Sequence, residues 1–96
     1  MEASKVLEVY SELSTLLELL TAKYNHYKEL YSHANMEKRE EEAMGFYWEM
    51  RDTEEQRQKV ATLRGEVIKL HPDYPDFEKV FNSTVRKAET LLNENK

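Results

Sequence analysis

Over the first third of the chain, apolar residues recur in alternating steps of three and four: Ala3, Val6, Tyr10, Leu13, Leu17, Leu20, Tyr24, Tyr27, Tyr31 and Ala34. This period draws one stripe along a helix and makes it a seam against a nearly parallel or antiparallel neighbour. The pattern predicts a helix over about 3–34, which at about 1.5 Å per residue is roughly 48 Å long. A weaker stripe of Val9, Leu16, Leu19 and Leu30 lies beside the seam. It widens the seam mostly in the first half, so that half is expected to touch two helices.

A turn is expected at about 32–36, with Asn35 as N-cap of the next helix and Glu37 at its positive end. The second helix is predicted over about 36–70, in three parts. Ala43, Met44, Phe46, Tyr47, Trp48 and Met50 form a dense apolar patch, residues 51–59 are polar, and Val60, Ala61, Leu63, Val67, Ile68 and Leu70 form a second amphipathic stretch. Asp52 with Glu55, and Thr53 with Gln56, have the spacing of a capping box. A break near Asp52 would make four helices. One long helix matches the first in length and is the reading adopted.

The segment His71-Pro72-Asp73-Tyr74-Pro75 holds both prolines of the chain. Proline disfavours helix in the residue before it, so His71 is expected to end the second helix, where the dipole favours it. Asp73 is the expected cap of a third helix over about 74–93, with Pro75 in its first turn. Phe77, Val80, Phe81, Thr84, Val85, Ala88, Leu91 and Leu92 give that helix its apolar face.

Short connections make successive helices antiparallel neighbours. The expected fold is therefore all-α and a single domain: an antiparallel three-helix bundle built on a long helical hairpin, with a four-helix bundle as the alternative. The third helix, about 28 Å long, reaches over the base of the hairpin but not its tip.

The tip collects Tyr24, Tyr27 and Tyr31 from one helix and Met44, Phe46, Tyr47, Trp48 and Met50 from the other. Three consecutive aromatics fan over about 200° of a helix, more than one neighbour covers. Tyr, Trp and Met are also the types enriched at binding hot spots. These eight residues are the candidate partner-binding surface, most simply for self-association of two tips into a four-helix bundle. The competing reading makes them plain core, buried within one chain if the second helix breaks and the last reaches further.

Composition narrows the function class. The chain has 96 residues and no cysteine, so disulfides, thiolate nucleophiles and cysteine-based zinc sites are excluded. Its 19 acidic residues exceed its 14 basic ones, giving a net charge of −5. That excess opposes phosphate backbones, and no basic stripe with interleaved aromatics suits nucleic acid. No apolar run approaches the ~18–20 residues that span a membrane, and the N-terminus lacks the layout of a signal peptide. A cytoplasmic protein is expected, and Asn82-Ser83-Thr84 is read as a chance glycosylation sequence inside a helix.

Catalytic chemistry finds little support. His26, Glu29 and His33 share a helix face, but about 10 Å separates the two histidines, too far for one ion. Glu40, Glu41 and Glu42 read as a solvated face, since a carboxylate acid/base pair needs burial. Gly45 and Gly65 stand alone, without a phosphate loop, and are expected to allow close helix approach or, at Gly45, a bend. The polar stretch 51–59 is expected to face Leu13 to Leu17, either with the stems of Gln56 and Arg57 covering those leucines or as a site where a partner or the last helix docks. No enzyme, cofactor or metal is expected. The expected function is a non-enzymatic protein–protein interaction module, a homodimer formed through the aromatic tip. The alternative is a small antagonist of phage or immunity type that blocks a larger protein target.

Overall fold

The computed structural model is an all-α three-helix bundle built on a helical hairpin, with α1 at Glu2–Met36, α2 at Glu40–Ile68 and α3 at Phe77–Glu94. The structure describes residues 2–70, 73 and 75–95, with side chains from Ser4 onward. The expectations for Ala3, His71, Pro72 and Tyr74 fall outside the described residues. Contacts between α1 and α2 run in opposite order: Arg64 meets Tyr10, Arg57 meets Tyr24, and Tyr47 meets Tyr31. The two helices are therefore antiparallel.

The turn differs from the expected one. Asn35 does not cap α2; it lies in the last turn of α1, which runs on to Met36. The chain leaves α1 through a Schellman motif, in which Arg39 N–H donates to Ala34 O (2.8 Å) and Lys38 N–H to Asn35 O (3.1 Å). The motif needs a left-handed residue, and Lys38 takes it at φ 59. Sequence reading looks for Gly or Asn there, and a lysine gives no such signal. Arg39 instead occupies the N-cap place of α2, its carbonyl accepting from Ala43 N–H at 2.9 Å. Glu37 stays in the turn and pairs with Arg39 at 2.8 Å, while Glu40, Glu41 and Glu42 fill the first turn of α2. A left-handed conformation costs a residue with a Cβ about 1–2 kcal/mol. Lys38→Gly is expected to stabilise the fold by about 1 kcal/mol, read as a higher midpoint in urea unfolding with an unchanged slope.

α2 is continuous through Asp52, so the four-helix alternative does not hold. The capping-box spacings are not used. Thr53 instead turns inward, 2% exposed, and its hydroxyl donates to Glu49 O at 2.8 Å. That bond lets a polar residue sit in the seam. The full α2 seam is then a heptad: Ala43, Phe46, Met50, Thr53, Arg57, Val60, Arg64 and Val67, each buried or half-buried. Asp76 rather than Asp73 occupies the N-cap of α3, left-handed at φ 58 and without a side-chain cap. Pro75 lies before the helix, in the turn.

The chain falls into two compact units, residues 1–17 with 59–96, and residues 18–58. The first unit contains segments of all three helices. Val9, Leu13 and Leu16 from α1, Val60, Leu63 and Val67 from α2, and Phe77, Phe81, Thr84 and Ala88 from α3 form its core. The Phe77 and Phe81 rings stack at 5.6 Å. Arg64 lies over Tyr10 at 5.6 Å and reaches Ser14 Oγ at 3.4 Å. Arg64 therefore lies beside the Leu13 turn of α1, which is the pairing expected when the hairpin turn falls later in the chain. Three apolar residues assigned to inward faces lie outside instead, namely Ala61, Ile68 and Val80.

The second unit is a two-helix hairpin with Leu20, Ala34, Ala43 and Thr53 buried. Ala34 and Ala43 are small residues on either side of the turn, and both are buried. Leu19, expected beside the seam, is 64% exposed. Arg57 covers Tyr24 at 5.5 Å and pairs with Glu54 at 3.5 Å. Neither glycine serves close approach, since a Cβ built on Gly45 or on Gly65 meets nothing within 4 Å. Gly65→Ala is therefore expected to stabilise by up to about 1 kcal/mol, raising the melting temperature by about 4–8 °C.

Candidate functional site

The α2 seam fixes where the aromatic residues of the second unit point. A helix turns about 100° per residue, so Phe46 and Met50 face α1, Tyr47 lies on the flank, and Trp48 falls on the side away from the seam. Each α1 tyrosine of this unit lies on the α1 seam and is half-buried. Tyr27 meets Phe46 with ring centroids 6.3 Å apart. Tyr31 meets Tyr47 at 6.1 Å, and Tyr47 meets Trp48 edge-on at 5.5 Å. These spacings lie in the favourable range for aromatic pairs. A line of rings therefore leads from the seam at Tyr31 out to the surface at Trp48.

The eight candidate residues separate into two groups. Tyr24, Tyr27, Tyr31, Phe46 and Met50 are half-buried between the two helices, where they hold the hairpin together. Met44, Tyr47 and Trp48 are exposed, Met44 at 56% and Trp48 at 53%. The plain-core reading fits the first group and not the second. One residue that sequence reading did not include belongs beside the exposed group. Arg51 places its guanidinium over the Trp48 ring at 5.7 Å. The i to i+3 spacing of Trp48 and Arg51 carries that contact and was the available signal. Met36, the last residue of α1, is also exposed, at 80%.

The remaining polar groups are arranged as surface. His26 and His33 are exposed, with His26 against Tyr27 at 5.8 Å. Among the described residues, no three His, Asp or Glu side chains gather into a metal-holding group. Glu40, Glu41 and Glu42 are exposed, and Glu42 pairs with Arg39. In the polar stretch, Gln58 donates to Glu54 at 3.3 Å, and Gln56 Oε1 is buried without a hydrogen-bond partner among the described residues. Among these residues, no helix is long and apolar enough to cross a membrane. The chain matches no known family, and neither a curated protein nor a solved structure shows significant similarity to it.

Proposed function

We propose that the protein is a non-enzymatic protein-binding module that self-associates through its aromatic hairpin end, as a homodimer. The observation that carries this reading is Trp48, half-exposed on the side of α2 opposite its seam, with the thioether of Met44 exposed one turn away. Exposed apolar area costs about 25 cal/mol per Å², and a large indole grouped with Met44 and Tyr47 is more than the scattered apolar residues normal to a surface. Trp and Arg are the strongest interface anchors, and Trp48 and Arg51 are already stacked, so little side-chain freedom remains to be lost on binding. The fold needs neither disulfide nor thiol, which suits the reducing cytoplasm. The acidic balance directs the surface to protein rather than nucleic acid.

Acrylamide quenching of the single tryptophan tests the proposal. With one Trp in the chain, all indole fluorescence reports on position 48. Quenching is expected to fall, and emission to shift to the blue, as protein concentration rises from about 1 μM to about 1 mM, the range of weak to moderate association. Quenching that stays high and constant over this range overturns self-association and leaves a larger protein target as the occupant of the surface.

A further inference from the structure

We infer that residues 18–58 open as one unit, at a lower free energy than global unfolding, while the base formed by residues 1–17 and 59–96 stays folded. Such opening does not depend on what Trp48 binds. The two segments are the two compact units of the chain, and their cores differ in kind. The base buries Leu13, Val60 and Val67 completely, and it also buries Phe77 and Phe81, whose rings stack. In residues 18–58 the buried side chains are Leu20, Ala34, Ala43 and Thr53. Leu20 alone among these is large, and hydrophobic stabilisation scales with the apolar area removed from water. The larger side chains of this unit, Tyr24, Tyr27, Tyr31, Phe46 and Met50, are only half-buried.

Polar groups point the same way. The hydrogen bonds of Thr53 and Gln58 and the ion pair of Arg57 with Glu54 all stay within α2, so they do not tie the two helices together. In the base, Arg64 reaches across from α2 to Ser14 on α1. Gln56 Oε1 is buried with no hydrogen-bond partner among the described residues, so its lost hydration is replaced by no protein group. Opening returns that oxygen to water.

The entropy of closing a loop grows only with the logarithm of its length, so the base can stay closed around residues 18–58 as an open loop. Opening also parts Tyr27 from Phe46 and Tyr31 from Tyr47. The aromatic end therefore has a closed form that presents Trp48 and an open form that presents the inner rings as well.

Native-state hydrogen exchange of the full chain in low urea tests this, on dilute protein so that association adds no protection. Amides of 18–58 are expected to share one opening and to exchange about a hundredfold faster than the slowest amides of the base. Two variants separate this opening from global unfolding. Val67→Ala weakens the base, which is folded both before and after the opening. It is expected to speed exchange of the base amides about tenfold and to leave 18–58 unchanged. Leu20→Ala weakens the opening unit, and global unfolding includes that opening. It is expected to speed both sets of amides alike, by about tenfold or more. Uniform protection along α1 and α2, or a Val67→Ala effect equal in 18–58 and in the base, overturns the inference.

Discussion

Leu13→Ala is expected to destabilise the protein by about 3 kcal/mol, within the 2–5 kcal/mol typical of truncating a buried leucine. Leu13 is fully buried in the core of the first unit, with Val9 and Leu16 buried beside it on α1. The loss combines the transfer energy of the missing methyl groups with the cavity left in that core, which the surroundings close only in part. Small domains are stable by only about 5–15 kcal/mol in total, so one such cavity removes a large share. Leu19→Ala is the matched control. It removes the same atoms from an exposed position, and the expected change is within about 0.5 kcal/mol. Urea unfolding of the two variants measures the difference; equal losses would mean that the register of α1 is wrong.

Trp48→Ala is expected to weaken self-association by about 2 kcal/mol or more, roughly thirtyfold, and to leave the monomer nearly as stable as before. The two effects separate because Trp48 faces away from the seam. Within one chain it contributes only its edge contact to Tyr47 and its face to Arg51. Contacts of that kind are each worth about 0.5–1 kcal/mol at an exposed site. Tyr27→Ala is expected to behave differently. Tyr27 is half-buried against Phe46, so its loss lowers helix stability and association together. Circular dichroism and sedimentation on both variants distinguish an interface residue from a residue that merely shapes the hairpin. A Trp48→Ala protein with unfolded helices would place Trp48 in the monomer core.

The sequence made the helices legible because the apolar step of α1 continues unbroken from Val6 to Ala34, and few breakers interrupt the chain. Where the reading failed, polar or unusual residues did work normally signalled by others. Thr53 gives no seam signal in the sequence, because its hydroxyl argues against an inward position, yet a bond to the carbonyl four residues back satisfies it. Lys38 and Asp76 adopt left-handed backbone that sequence reading expects of glycine or asparagine, so both helix starts were placed too early. Leu19, Ala61, Ile68 and Val80 are exposed although the pattern points them inward, because an apolar residue beside a stripe looks the same in sequence whether or not a neighbour covers it. At the candidate site, the density of aromatics was visible in the sequence. Their division into a half-buried set and an exposed set was not, since that depends on the phase of the α2 seam, which runs through Thr53, Arg57 and Arg64.

The central claim is that the outward face of α2 around Trp48 is completed by a second copy of the chain. Sedimentation equilibrium of the wild type across a wide dilution range tests it most directly. The wild-type mass is expected to move from one chain toward two as concentration rises, and a Trp48→Ala protein to stay near one chain over the same range. A wild-type mass equal to one chain at every concentration contradicts it.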